Sequence, residues 1–128
     1  YQIECAMGAV VELFDDPKPV LVERARFLPV KTTEDLLLLR SDAYDLGEDF
    51  QLRLVPEQAC LVSLDPRHYK RIADFDAHFP AGAPSLRAAE RLAVEGVWTF
   101  GAGVVVTGDV RLSDPGEPRT VPDGTVLA

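Results

Sequence analysis

Apolar residues follow two spacings along this chain, a helical one near its start and shorter ones further on. The positions of Ile3, Met7 and Val10 predict an amphipathic helix over residues 2–14. Prolines follow directly and end this helix, because proline lacks the amide donor that a helix requires. A run of three apolar residues, 20–22, then predicts a short strand.

A second helix is predicted after the segment FLPVKTT, over residues 34–44. Thr32 and Asp35 are spaced as a capping box, in which each side chain accepts a hydrogen bond from the other residue's backbone amide. Acidic residues in the first turn also favour a helix start, because they face the positive end of the helix dipole. Four consecutive leucines, residues 36–39, indicate a helix that is buried around most of its circumference.

The middle of the chain alternates between turn signals and short apolar runs. Residues 45–58 contain a loop and an alternating stretch, and residues 59–64 predict a strand. Asp65 followed by proline is a favourable helix start, and one apolar face continues over residues 66–79. The segment PAGAP, residues 80–84, is the expected boundary between two subregions.

The last part of the chain has the most regular pattern, in which apolar residues recur every six positions. The two series are Leu92, Trp98, Val104 and Val110, and Val94, Phe100, Val106 and Leu112. A six-residue period predicts the flat sides of a β-helix, with one inward apolar residue on each side. Residues 92–128 suffice for about two coils, with a looped-out insertion at 113–124 and a resumed strand at 125–127. A pair of hairpins is the alternative that the spacing leaves open.

The charge balance argues against two classes of partner. The chain has 13 basic and 21 acidic residues, for a net charge of −8. Nucleic-acid binding and polybasic membrane binding both depend on clustered Lys and Arg, so we expect neither partner. No apolar run approaches the ~18 residues of a transmembrane helix, and no signal-peptide pattern opens the chain.

The two cysteines share no metal-ligand spacing. Cys5 falls in a helical pattern and Cys60 in a strand pattern, and only His68 and His78 could join them as ligands. Buried free thiols are therefore expected, and a metal or redox site is rejected.

Lys31 is the candidate site residue, because it stands between a rigid Phe-Leu-Pro-Val segment and the start of a helix. An ammonium there can contact an anion at the positive end of the helix, and the amides and hydroxyls of Thr32 and Thr33 can add donors. The ordinary alternative is a solvated lysine. No Gly-rich phosphate loop and no nucleophile elbow accompany it. The residues alone leave both interpretations of Lys31 open.

A family resemblance is carried by residues 26–44, RFLPVKTTEDLLLLRSDAY. This stretch resembles the signature segment of the UTP–glucose-1-phosphate uridylyltransferase family, the UDP-glucose pyrophosphorylases. Three more segments resemble the family in colinear order: QIECAMGAVVELF before it, CLVSLDPRHYKRIADFDAHF after it, and LAVEGVWTFGAGVVVTGDVRL as the terminal β-helix. The resemblance is weakest at 45–58 and beyond residue 113.

The resemblance implies a fold in three regions. Residues 1–44 would be the C-terminal edge of an α/β nucleotidyltransferase domain, with the FLPVK motif. Residues 45–84 would link it to a left-handed β-helix over 85–128. We therefore expect an α+β N-terminal segment followed by a short left-handed β-helix of the hexapeptide type.

The resemblance also implies a reaction. The family makes UDP-glucose and pyrophosphate from UTP and glucose 1-phosphate with Mg²⁺, and the lysine of its FLPVK motif, here Lys31, contacts the phosphates. The family's nucleotide loop, uracil pocket and sugar-binding residues lie upstream of Tyr1. Mg²⁺ and both substrates are thus expected to be held mainly outside this chain. We expect the C-terminal portion of a cytoplasmic nucleotidyltransferase, which is inactive in isolation.

Three other functions are alternatives to the enzyme. The chain could be an interaction module, since a β-helix exposes strand edges that favour a homo-oligomer. A UDP-sugar pyrophosphorylase with a different sugar 1-phosphate is a second alternative. A hexapeptide-repeat acyltransferase is rejected, because it needs a long stack and a catalytic histidine, and no histidine follows His78.

Overall fold

Short helices and strands alternate over the described part of the chain, which in this computed structural model comprises residues 10–23 and 27–128. The elements are a 3-10 turn (Val11–Leu13), α1 (Thr33–Arg40), β1 (Tyr44–Leu46), β2 (Leu52–Leu54), β3 (Leu61–Leu64), α2 (Pro66–Tyr69), α3 (Ile72–His78), β4 (Ser85–Val94), β5 (Trp98–Phe100), β6 (Val105–Leu112), β7 (Arg119–Val121) and β8 (Val126–Leu127). The architecture is mixed α/β.

Two parallel sheets organise the C-terminal half. One sheet has the strand order β3-β4-β6-β8, and the other consists of β5 and β7. Consecutive strands from β4 onward therefore alternate between the two sheets, as parallel neighbours must be joined by a crossover. In register, Leu92 lies beside Val110, and Val105 lies beside Val126. We call strands β4–β8 with their connections the β stack.

The six-residue pattern correctly predicted the interior of the β stack. The buried members of the two series are Leu92, Val94, Phe100, Val104, Val106 and Val110. Trp98 and Leu112 are only half-buried. Trp98 lies at the margin because its indole N–H donates to the backbone oxygens of Glu95 and Ser113, at 3.1 and 3.2 Å. A polar atom on an aromatic ring thus keeps one position of the series at the surface.

The looped-out insertion predicted at 113–124 is wrong in part. Strand β7 lies within it and pairs with β5, and Val121 is 3% exposed. The strand lacks the six-residue spacing of its predecessors, so the pattern did not reveal it. The turn after β7 is fixed by Asp123, whose carboxylate accepts a hydrogen bond from the Ala102 amide at 2.8 Å. A Cβ at Gly101 would overlap Asp123, so this close approach requires glycine.

The helix predicted over 34–44 is shorter, because α1 ends at Arg40. The Ser41 hydroxyl donates to the Leu38 carbonyl at 2.7 Å and accepts the Ala43 amide, which replaces the next helical hydrogen bonds. Burial around most of the circumference is also wrong. Leu37 is fully buried, whereas the other three leucines are half-buried, since α1 packs on β3 with one side.

The strand predicted at 20–22 is absent. These residues pair with no strand among the described residues, and Leu21 is fully exposed. A β-strand requires a hydrogen-bonded neighbour, which apolar content does not supply. The helix predicted over 2–14 lies mostly outside the described residues, within which Val10 is helical and the chain then forms the 3-10 turn.

In the middle of the chain the predicted strand is present, and the elements on either side of it differ in detail from the prediction. The strand predicted at 59–64 is present as β3, and the alternating stretch within 45–58 forms β2 of an antiparallel hairpin with β1. The single helix predicted over 66–79 is two helices, α2 and α3, which are separated at Lys70 and Arg71.

One hydrophobic cluster crosses the boundary that was expected at 80–84. Phe79 packs against Phe75 and Phe100, with ring centroids 4.9 Å apart in each pair. Cys60 belongs to the same cluster as a buried free thiol, as predicted. The division into 1–44, 45–84 and 85–128 stays a prediction.

Candidate functional site

The N-terminus of α1 is closed by the predicted capping box. The Asp35 carboxylate accepts the backbone amides of Lys31 and Thr32, at 2.9 and 3.0 Å, and the Thr32 hydroxyl accepts the Asp35 amide at 3.3 Å. The Lys31 amide is the main cause that holds the pKa of Asp35 below its usual value. The Thr32 amide is therefore already engaged, whereas the Thr32 hydroxyl accepts in the capping box and keeps its own O–H as a donor. An anion at this point could contact that hydroxyl and the Lys31 ammonium.

Lys31 lines a cleft of about 640 Å³. Two chain segments form it, one of residues 30–36 and one of residues 64–72. Its lining residues are Val30, Lys31, Thr32, Thr33, Glu34, Leu36, Leu64, Pro66, Lys70 and Ile72. We call this the Lys31 cleft. It combines an apolar surface with two ammonium groups, which is the usual composition of a site that orients a small polar ligand.

The charge in the Lys31 cleft is opposite in sign to that of the whole chain. Lys31 and Lys70 face a single lining carboxylate, Glu34, although the chain carries a net charge of −8. In the part of the chain that the structure describes, neither ammonium forms an ion pair. Lys18 differs, because its ammonium lies 3.2 Å from Asp16. The cleft therefore presents two cations that can bind an anion.

Sequence reasoning missed Lys70 as a site residue. It lies directly after α2, and its place on the same cleft as Lys31 depends on the packing of α1 on β3. The Asp65-Pro66 helix start is the sequence signal that indicates its position. A helix that begins there places Lys70 just over one helical turn beyond the end of β3. Ligands often bind beyond the carboxyl ends of parallel strands.

The second segment of the cleft is held by Asp65, which is buried and caps α2. Its carboxylate accepts the Arg67 amide and both the Nε and Nη2 of Arg67, and also the Gly96 amide at 3.0 Å. The Arg67 guanidinium is the main reason that the pKa of Asp65 lies far below its usual range. Asp65 therefore stays ionised and keeps all of these hydrogen bonds at neutral pH.

Tyr69 fixes the end of the same helix. Its hydroxyl donates to the Trp98 carbonyl at 2.8 Å and accepts the Trp98 amide at 3.1 Å, and its side chain is fully buried. Burial is the main cause that raises the pKa of Tyr69 to about 12. Lys70 thus follows a residue that is rigidly attached to β5.

Among residues 10–23 and 27–128, no group of three or more His, Cys, Asp or Glu side chains could hold a metal ion. Burial raises the pKa of the Cys60 thiol. No helix in the same residues is long and apolar enough to cross a membrane.

Comparison with known proteins gives one consistent result. The family model described as UTP–glucose-1-phosphate uridylyltransferase matches residues 1–107. The chain is 38% identical over 130 residues to the UTP–glucose-1-phosphate uridylyltransferase of Hordeum vulgare, a match that covers 98% of this chain. Among solved structures, UDP-glucose phosphorylase from Trypanosoma brucei superposes with a TM-score of 0.76 at 45% identity, over 94% of this chain and 27% of that one.

A mutant UDP-glucose pyrophosphorylase from Leishmania major, solved in complex with UDP-glucose, is also similar. Its TM-score is 0.75 at 41% identity, over 94% of this chain and 26% of that one. The present chain spans only 27% of the length of the Hordeum relative.

Proposed function

This chain belongs to the UTP–glucose-1-phosphate uridylyltransferase family, and we propose that it is the part of such an enzyme that supplies Lys31 to the reacting phosphates. The enzyme forms UDP-glucose and pyrophosphate from UTP and glucose 1-phosphate. The observation that carries this proposal is the Lys31 cleft, where two ammonium groups without described ion-pair partners line one cavity in an acidic chain. A UDP-sugar pyrophosphorylase with a different sugar 1-phosphate remains the nearest alternative.

The chemistry explains why ammonium groups are needed. A phosphate oxygen of glucose 1-phosphate forms a bond to the α-phosphorus of UTP, and the bond from that phosphorus to the β-phosphate bridge breaks, so that pyrophosphate leaves. Negative charge is spread over the phosphate oxygens in the transition state, and catalysis depends on positioning and charge stabilisation. The Lys31 ammonium would donate hydrogen bonds to these oxygens, and Lys70 would add positive charge on the same cleft.

Mg²⁺ supplies further charge neutralisation in this reaction, but the described residues do not form a site for it. Glu34 is the one carboxylate on the cleft lining, and no cluster of potential ligands occurs in the described ranges. A hard divalent cation takes six oxygen ligands, which here would have to come from phosphates, water and other parts of the enzyme.

The β stack is proposed to be a left-handed β-helix. Three observations support a β-helix: strands alternate between two parallel sheets, neighbouring strands are offset by about one coil of sequence, and the six-residue series face inward. The handedness and the regions 1–44, 45–84 and 85–128 rest on the family.

We further propose that the enzyme is cytoplasmic and that this chain alone does not form UDP-glucose. Product formation by the isolated chain would contradict that statement.

The Lys31→Ala variant of the full-length protein tests the main proposal. We expect turnover to fall by about a hundredfold or more, because an ammonium on the reacting phosphates acts mainly in the transition state. Lys18→Ala is the matched control, since Lys18 is exposed and pairs with Asp16 away from the cleft. UDP-glucose synthesis is measured, and circular dichroism checks the fold. Near-normal turnover of Lys31→Ala would show that Lys31 is merely solvated.

A second proposed role is self-association. Among the described residues, strand β8 lies at the edge of its sheet with β6 as its single neighbour, and Val126 is 64% exposed. An unpaired strand edge can pair with a second copy of the chain. Light scattering over a range of concentrations should show a mass that rises with concentration, and Val126→Pro should reduce it, because proline removes an amide donor. A constant monomer mass would contradict this role.

A further inference from the structure

Two aspartates attach the helical part of the chain to the β stack, but only one of them adjoins the Lys31 cleft. Asp42 follows α1 and accepts hydrogen bonds from the Ser85 hydroxyl and the Leu86 and Arg87 amides, at 2.7, 2.9 and 3.2 Å. Asp65 lies directly between Leu64 and Pro66, both of which line the cleft.

The contacts of Asp65 reach two distant parts of the β stack. Its Oδ2 accepts the Gly96 amide in the turn between β4 and β5, at 3.0 Å. The same oxygen lies 2.6 Å from Nη2 of Arg67, which also lies 3.2 Å from the carboxylate of Asp114 in the loop after β6. The Asp65 side chain is only 7% exposed. One buried carboxylate therefore connects the cleft segment to a strand turn and, through Arg67, to a surface loop.

Helix α2 depends on this attachment. It has four residues, Pro66–Tyr69, which is too short for a helix to persist through its own hydrogen bonds. Asp65 holds its first turn, and Tyr69 holds its end against Trp98. If Asp65 lost its bonds, Tyr69 would be the remaining anchor of α2, and Pro66 and the first turn could shift relative to Lys31 and carry Lys70 with them.

We propose that Asp65 is a positioning residue, which fixes the cleft segment Pro66–Lys70 relative to Lys31, so that both ammonium groups can bind one phosphate ligand. The ligand class is a phosphate ester or anhydride, so the proposal rests on the function proposed above. Binding by two separate ammonium groups is strongest when both are fixed before the ligand arrives, because little ordering then remains to oppose binding. Asp42 performs a comparable attachment but adjoins no residue of the cleft lining.

The test compares Asp65→Asn with Asp42→Asn in the full-length protein. Asparagine keeps the shape but loses the charge that binds the guanidinium. We expect Asp65→Asn to raise the KM for pyrophosphate in the reverse reaction by about tenfold, with kcat less affected. Asp42→Asn should leave this KM within about twofold even if it lowers the melting temperature, and assays are run well below that temperature. Equal KM values in the two variants would overturn the proposal.

Two further measurements keep the result decisive. If Asp65→Asn does not fold, Arg67→Gln replaces it. The Arg67 side chain is mostly exposed, and its loss breaks the link between Asp65 and Asp114. We expect a rise in the same KM of about threefold, partly reversed in Arg67→Lys; no rise would overturn the proposal. If the wild type makes no UDP-glucose, the proposed function fails. Calorimetry of pyrophosphate binding then tests the role of Asp65. The proposal would be overturned if the wild type did not bind pyrophosphate, or if the wild type and Asp65→Asn bound it with equal affinity.

Discussion

The Lys31 cleft and the β stack differ in how much of their apolar side-chain surface is buried. In the β stack, Leu92, Phe100 and Val106 are fully buried. The segment that leads into the Lys31 cleft is different, because Leu28 is 39% exposed and Val30, on the cleft lining, is 43% exposed. The difference separates two tasks. The stack uses its apolar residues for stability, whereas the cleft region keeps apolar and cationic groups at a surface where they can contact a ligand or another part of an enzyme.

A substitution in the stack interior is the strongest test of this difference. Phe100→Ala should lower the free energy of unfolding by about 3–5 kcal/mol, because it leaves a cavity where the ring contacts Phe79. Leu21→Ala removes a fully exposed side chain and should change it by less than about 0.5 kcal/mol. Urea unfolding measures both values. Similar losses in the two variants would contradict the assignment of stability to the stack.

Tyr69 tests the junction between the two regions. Tyr69→Phe removes the hydroxyl that binds the Trp98 carbonyl and amide, and leaves both of these groups without that partner. We expect a loss of about 1–3 kcal/mol in the free energy of unfolding. Tyr44→Phe is the matched control, since the Tyr44 hydroxyl has no hydrogen bond within the described ranges, and it should be nearly neutral. Equal effects would show that the Tyr69 hydroxyl does not secure the junction.

His78 gives the smallest expected effect, which depends on pH. Burial is the main cause that lowers its pKa, the nearby His68 adds to this, and its Nδ1 is buried without a hydrogen-bond partner. The unfolded chain therefore binds a proton more readily than the folded one, so stability falls as the pH drops through the unfolded value near 6.5 towards the folded value.

The His78→Phe variant isolates this effect. It keeps a ring beside Tyr69, whose centroid lies 4.5 Å from that of His78. Between pH 7 and 5 the wild type should lose more stability than the variant, because only the wild type carries the imidazole that must take up a proton. Urea unfolding at a series of pH values measures the difference. Parallel curves would show that protonation of His78 does not affect folding.

Local chemistry in the sequence correctly predicted several elements. The capping box of Thr32 and Asp35 and the Asp65 cap are each decided by residues within a few positions, so a single segment contains the information. The six-residue series predicted the buried side of the β stack, because inward and outward positions must alternate at a fixed spacing whatever the neighbouring strands are.

Only the tertiary structure decided features that depend on a distant partner. Whether the apolar run at 20–22 forms a strand depends on a neighbour, and it has none among the described residues, whereas β7 exists because β5 is available to pair with it. The same reason applies to the cleft. The sequence by itself singled out Lys31 through its position before a helix. Lys70 lines the same cleft as Lys31 only because α1 packs on β3. The segment that carries Lys70 is fixed only because the β stack supplies Gly96 as a partner for Asp65 and Trp98 as a partner for Tyr69.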